Sequence, residues 1–179
     1  MVFEMKRKTH LSVEECMKIY NAPESPVKSL ALLILTTGIH ASCITEWKKY
    51  NLHYDKTGIT WERTKRQMRR HSVIHQHWRA PMREKNRYKT LGYWKRKTRY
   101  WLHDALKQWG EEIGVKGLCP LLLRRAYFIN HGRLNTSPMD LEHESRTRWH
   151  TIIDFYTYGK REQKSISQKE LDFLKWLYN

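Results

Sequence analysis

Pro120-Leu121-Leu122-Leu123-Arg124-Arg125-Ala126-Tyr127-Phe128-Ile129-Asn130 is the stretch that decides how this chain folds. Proline at the first helical position is preorganised for a helix, and the N–H it lacks would have had no partner there. The residues that follow are apolar nearly all round, interrupted only by Arg124 and Arg125. A helix that is apolar on every side is buried rather than laid on a surface. The sequence therefore predicts a helix over 121–130 at the centre of a core. Burying a guanidinium there costs several kcal/mol unless an anion or a partner pairs it. Arg124 is either an anion ligand or half of a structural pair with a carboxylate or a helix-end carbonyl. Arg125 beside it faces an anion or solvent.

Working outward, the flanking segments are also mostly helical. Leu102, Ala105, Leu106, Trp109 and Ile113 recur at helical spacing and predict a long helix over 93–113. On the other side come helices over 138–143, 149–156 and 168–177. Near the start, Ser12 and Glu15 have the spacing of a capping box. A turn-rich joint over 21–26 leads to a helix over 27–37 stopped by Gly38, then a helical piece over 42–49. Between these halves the residues become β-prone, over 58–64 and 72–76, around a basic turn over 65–70. A third short strand is expected over 52–54. The fold class expected is mainly α with a small antiparallel sheet, α+β. The chain reads as one domain over 1–179, with a core over 10–160 and a C-terminal helix over 165–179.

The charge narrows the function. Thirty-four Lys and Arg stand against 18 Asp and Glu in 179 residues, a formal charge of +16. Self-repulsion of that size opposes a compact state unless a polyanion relieves it. The basic residues are spread through segments that fold, so a cationic surface is expected rather than a basic tail. Cys16, Cys43 and Cys119 are far apart and form no close pair, which favours a reducing compartment over a disulfide framework. The longest apolar run, 30–35, is far short of the roughly 20 residues that cross a bilayer. The expectation is an intracellular protein of cytoplasm or nucleoid, with duplex DNA as partner and no membrane.

The order of segments resembles the catalytic domain of the tyrosine recombinase, or phage-integrase, family. His10-Leu11-Ser12-Val13-Glu14-Glu15 is similar to the family's opening "LTxEE" helix, and Leu33-Ile34-Leu35-Thr36-Thr37-Gly38-Ile39-His40 to its "LLxxTGLR" helix end. Trp47 matches a tryptophan common before the hairpin, and Arg63-Thr64-Lys65 resembles the "xTK" turn. Leu121 to Tyr127 resembles "HxLRHTF", Leu141-Glu142-His143 resembles "LGH", and Asp154-Phe155-Tyr156-Thr157-Tyr158 resembles the segment of the nucleophilic tyrosine. Three departures accompany these matches. The family's first arginine falls on His40, the first histidine of its HxxR motif falls on Leu121, and thirteen positions separate His143 from Tyr156.

The resemblance implies a reaction in which a tyrosine attacks a backbone phosphate and stores the bond as a phosphotyrosine. A phenol is a weak nucleophile until a cationic site activates it. Guanidiniums suit that site because they stay charged and present donors in a planar fork. By this resemblance Tyr156 is the nucleophile, with Tyr158 as substitute, and Arg124 holds the phosphate. Lys65 protonates the leaving oxygen, His143 donates to the phosphate, and His40 stands where an arginine is usual. A histidine cannot reproduce a guanidinium's two-pronged grip, so Arg125 or Arg133 would have to supply the missing charge. Read as residues alone, Tyr156 and Tyr158 are equally packing aromatics, and His143 a structural histidine. Arg63, Arg66, Arg69 and Arg70 surround Lys65 and suit contact with DNA phosphates.

No metal and no cofactor are implied. His71, His75 and His77 would share one face of a strand, but no carboxylate is placed beside them. The reading is a DNA-binding protein that cleaves and rejoins strands in recombination or integration. A degenerate relative that binds DNA without cutting it is the alternative, and an RNA or ribonucleoprotein component is the third. Only about ten residues precede the first motif, so the family's N-terminal core-binding domain is expected to be absent. The resemblance further implies self-assembly on DNA through the C-terminal helix, against the alternative that this helix completes its own core.

Overall fold

The chain enters its first helix through a reciprocal cap: Ser12 Oγ accepts from the Glu15 amide at 3.1 Å and Glu15 Oε2 accepts from the Ser12 amide at 3.0 Å. The computed structural model describes residues 8–46, 48, 53–54, 58–63, 68–73, 96–145, 147 and 149–178. Among them the order is α1 (Val13–Asn21), α2 (Pro26–Thr37), α3 (Ala41–Thr45), β1 (His53–Tyr54), β2 (Gly58–Arg63), β3 (Met68–Val73), α4 (Arg99–Glu112), α5 (Pro120–Arg133), α6 (Pro138–Ser145), α7 (Trp149–Glu162) and α8 (Gln168–Tyr178). No described helix is long and apolar enough to cross a membrane.

Helix α5 occupies the centre, as its composition requires. Leu122, Leu123, Ala126, Tyr127, Phe128 and Ile129 are buried, and the helix runs one turn beyond the expected end, to Arg133. It packs against α2 on one side and α7 on the other. Helix α2 is closed by Gly38 at φ +64°, where a Cβ would stand 2.8 Å from the Tyr127 ring. The approach of α7 is closer still. A Cβ on Gly132 would lie 2.2 Å from the Tyr156 carbonyl oxygen, and one on Gly159 would lie 1.9 Å from that of Ile129. The two helices therefore touch backbone to backbone at a pair of glycines. Helix α7 runs past its expected end at 156 to Glu162, so Gly159 lies inside it.

Next to this contact is a buried polar network. Arg133, 2 % exposed, donates through Nε and Nη2 to Glu162 Oε2 at 3.0 and 2.5 Å. Its Nη1 donates to Asn130 Oδ1 at 2.7 Å, and the Leu11 carbonyl accepts from Nη1 and Nη2 at 3.3 Å. Burial works against the Glu162 carboxylate, but the hydrogen bonds from Arg133 and Tyr158 hold it below the usual carboxylate range. Asn130 donates to the Tyr178 hydroxyl at 3.0 Å, which donates to the Leu35 carbonyl at 2.9 Å. Burial pushes the nearby Cys16 thiol up to about 11, which leaves it protonated and unreactive.

Helix α8 folds back on its own chain. Leu174, Leu177 and Tyr178 are buried, Ile166 and Phe173 pack at the edge of the core, and Trp176 meets Tyr20 of α1 edge-on at 4.7 Å.

The expected α+β class, mainly α with a small antiparallel sheet as a structural component, is corrected. Apart from Leu11, just ahead of α1, the described residues of the hydrophobic core lie on helices or in connections between helices, so the packed body they form is all-helical. The antiparallel strands β1, β2 and β3 are short pairings in that order, with β3 running beside α6. The physical reason is composition: the segment is dominated by charged and polar residues and has no apolar face large enough to form a layer. Register also differs from expectation. Trp61 pairs with Arg70 and Glu62 with Arg69, so both arginines stand in β3 rather than in the turn. Trp47, Trp94, Lys65, Arg66, His75, His77 and most of the basic stretch 79–97 lie outside the described residues.

Two expectations follow from this packing. Alanine in place of an ordinary helical glycine stabilises by up to about 1 kcal/mol, yet Gly159→Ala is expected to destabilise by several kcal/mol, because its methyl meets a backbone that cannot move aside. Urea denaturation checks the sign, and a midpoint at or above wild type would refute the contact. Truncation after Lys164 is expected to abolish cooperative folding of the free chain, followed by circular dichroism melting; a truncated chain that melts like wild type would mean α8 is dispensable to this core.

Candidate functional site: a cationic cleft

Three helix starts converge on one cleft. The first is the corner after α2, where Gly38 turns the chain and delivers His40 to the N-cap of α3, exposed and without a side-chain cap bond. The second is α4. Thr98 caps it by accepting from the Trp101 amide at 3.1 Å, which places Arg99 in the first turn and His103 one turn on. Arg99 and His103 are four residues apart and so share an edge of the helix, beside the buried Leu102 and Leu106. The third is α5, whose N-cap Cys119 makes no side-chain cap bond and whose Leu121 is 55 % exposed.

These elements enclose a cleft of about 500 Å³. Among the described residues its lining contains Arg99 and Arg124, His40 and His103, the ring of Tyr100, and no carboxylate. The amino end of α5 adds the positive end of the helix dipole to the same space. Asp104 stands 3.7 Å from His103 Nδ1 but is mostly exposed and does not line the cleft. The arrangement suits a compact anion.

Arg124 is the buried member of the group. It is 9 % exposed, stacks over the Phe128 ring at 5.6 Å, and donates through Nη2 to Thr147 Oγ1 at 3.3 Å. Thr147, itself buried, lies in the connection between α6 and α7. The arginine is thus tied to the segment that leads into the tyrosine-bearing helix. Arg125, one position on, is turned away. Its Nη1 donates to the Thr9 carbonyl at 3.5 Å and its guanidinium lies 5.2 Å from the Phe155 ring centre. Arg133 is engaged with Glu162, Asn130 and Leu11 and does not line the cleft.

Neither tyrosine lines the cleft. Tyr156 belongs to the buried face of α7 with Ile152 and Gly159, and packs against Trp149 at 5.2 Å. Its hydroxyl donates to the Thr136 carbonyl at 2.6 Å, and burial raises its pKa above the ordinary phenol value. Both effects favour the neutral phenol. Tyr158 lies two positions further round the helix. It donates to Glu162 Oε1 at 2.8 Å and meets His10 Nε2 at 2.8 Å, with burial first and Glu162 second raising its pKa.

Of the residues singled out in the sequence, the fold brings His40 and Arg124 together. Tyr156, Tyr158 and Arg125 go elsewhere, His143 sits on α6, and Arg63, Arg69 and Arg70 belong to the hairpin whose β3 flanks α6. Arg99, Tyr100 and His103 were missed. The signal was present: with Leu102, Leu106 and Trp109 fixed as the buried stripe, positions 99 and 103 fall on its border. Among the described residues no three His, Cys, Asp or Glu side chains gather as a metal-binding group.

Two substitutions one residue apart separate packing from binding at this site. Leu123 is fully buried, so Leu123→Asp is expected to unfold the chain, at a cost of several kcal/mol. Arg124→Ala is expected to keep a cooperative thermal transition while weakening binding to duplex DNA by roughly tenfold or more, the scale of a charge-assisted hydrogen bond. A sharp fall in melting temperature with binding unchanged would make Arg124 a structural residue.

No protein-family model matches the chain, and no curated protein sequence matches it. Among solved structures the fold is similar to that of the XerH site-specific recombinase, crystallised on a palindromic difH substrate as a post-cleavage complex. The similarity has a TM-score of 0.60 at 14 % identity and extends over 92 % of this chain. The chain spans about half of that recombinase, 54 % of its length. At this identity the likeness is one of fold: the chain has a recombinase-like fold.

Proposed function

We propose that this protein binds duplex DNA on a tyrosine-recombinase-like fold and holds a backbone phosphate in the cleft beside Arg124. The observation that carries the reading is the composition of the cleft, two arginines and two histidines with no carboxylate among the described residues, at the amino end of a buried helix. Guanidiniums and helix amino ends are the groups that bind phosphate. A charge of +16 supplies the long-range attraction to a polyanion. The fold neighbour is a recombinase bound to DNA, which supports the same partner.

Binding without cleavage is the form of this function the geometry favours. A tyrosine whose hydroxyl is given to a backbone carbonyl and whose pKa is raised is poorly prepared to attack. One observation favours the cleaving form. The Arg124–Thr147 bond couples the phosphate cleft to the segment preceding α7, so an occupied cleft would act on the helix carrying Tyr156. In that form Tyr156 leaves Thr136, loses its phenolic proton to water and bonds to phosphorus as the bond from phosphorus to the leaving oxygen breaks; Lys65 is the candidate proton donor to that oxygen, and His143 the candidate hydrogen-bond donor to the phosphate.

Salt titration tests the shared premise. The logarithm of the affinity for duplex DNA should fall linearly with the logarithm of salt concentration, as counterions are released from the contacted phosphates. A flat response would sink DNA binding, and stronger competition by structured RNA than by duplex DNA would move the protein to the ribonucleoprotein class. Incubation with nicked suicide duplexes and a denaturing gel then separates the two forms. No adduct is expected; a covalent adduct abolished by Tyr156→Phe would establish strand cleavage.

A further inference from the structure

The cleft contains residues that neither the family pattern nor the sequence reading assigned to phosphate. Two positions where the resemblance places phosphate-binding groups carry others here: His40 stands for an arginine and Leu121 for a histidine. Leu121 is 55 % exposed at the cleft and has no polar side-chain atom. One turn separates it from Arg124 on α5. Across the same space, the first two turns of α4 present Arg99 and His103, both exposed.

We propose that α4 supplies the phosphate ligands missing from the other two elements, with Arg99 taking the charge and fork geometry absent at His40, and His103 the donor absent at Leu121. The inference rests on the reading of the cleft as a backbone-phosphate site. Its physical content is that Arg99 and His103 act with Arg124 on one phosphate. Arg99 fits the task because no carboxylate among the described residues of the cleft lining claims its donors, and an arginine presents those donors in a planar fork. Its guanidinium lies 5.8 Å from the centre of the Tyr100 ring, which also lines the cleft. His103 is four residues on, along the same edge. The packing of α4 against α2, α3 and α5 fixes this edge relative to both His40 and Arg124. The buried Leu102, Leu106 and Trp109 provide that anchorage.

The ligand class is a phosphodiester of duplex DNA. A short helix start bearing one arginine and one histidine would add only nonspecific attraction if it acted alone; joined with Arg124 it forms a site whose members depend on each other.

A double-mutant cycle on the full chain tests this, with a duplex of fixed length at one salt concentration as probe. Arg99→Ala, His103→Ala and Arg124→Ala are measured singly and in pairs, and Lys107→Ala, exposed one turn beyond His103 and outside the cleft lining, serves as charge control. Arg99→Ala is expected to weaken binding by roughly tenfold, well beyond Lys107→Ala. Arg99→Ala combined with Arg124→Ala should lose clearly less than the product of the two single losses, since ligands of one phosphate are coupled. His103→Ala should show the same coupling to Arg124→Ala. Equal losses for Arg99→Ala and Lys107→Ala, or fully multiplicative losses with Arg124→Ala, would overturn the inference while leaving DNA binding intact. If wild type itself fails to bind DNA, or if Arg124→Ala alone leaves binding unchanged, the phosphate reading of the cleft falls and this inference falls with it. Melting curves for each variant confirm that the helix remains in place.

Discussion

The contact between α5 and α7 sets the geometry on which the rest of this structure depends. At Gly132 and Gly159 the two helices approach until backbone meets backbone, with the Tyr156 and Ile129 carbonyls occupying the space where side chains would stand. No other residue type permits that distance. Immediately beside it, Arg133 on α5 grips Glu162 on α7 and the Leu11 carbonyl ahead of α1. A buried ion pair is weak support for stability when taken alone. Here every nitrogen of the guanidinium has an acceptor, so the pair fixes the register that the glycines allow. Three parts of the chain far apart in sequence are held by one side chain.

That register has a chemical consequence. It presents Ile152, Tyr156 and Gly159 on the face of α7 that meets α5, and so turns the Tyr156 ring into the core, where its hydroxyl donates a hydrogen bond to the Thr136 carbonyl. The cationic cleft is formed separately, by the starts of α3, α4 and α5. Binding groups and candidate nucleophile therefore belong to two different parts of the helical body, linked by the Arg124–Thr147 hydrogen bond. The Thr147 segment is the place where occupancy of one part would be felt by the other.

Much of the architecture was legible in the primary structure because it rests on local rules. The capping box at Ser12, the proline that opens α5, the glycine that closes α2 and the apolar periodicity of α4 each constrain only a few neighbouring residues. Composition alone marked α5 as central, and burial of Arg124 within it followed. The hairpin was recognisable, but its weight in the fold was not. Alternation predicts strands, while forming a layer requires a face large enough to bury, and the residues around Arg69 and Arg70 do not provide one. The boundary errors have the same origin: α5 and α7 run past their apolar stretches because Arg133 and Glu162, polar in sequence, satisfy each other inside the body.

The sequence by itself determined the helical character, the central helix, the net positive charge and the candidacy of Arg124, since all of these depend on residue type and short-range spacing. Only the tertiary structure decided that Arg124 and Arg125, adjacent in the chain, serve different purposes. It also decided that Tyr156 points into the core, that α8 packs on its own chain, and that Arg99 and His103 share a cleft with His40. Each of those outcomes turns on which face of one helix meets which face of another. That choice is made by the closest approach the side chains allow, here at two glycines separated by 27 positions (159 − 132), and no local pattern encodes a contact between them.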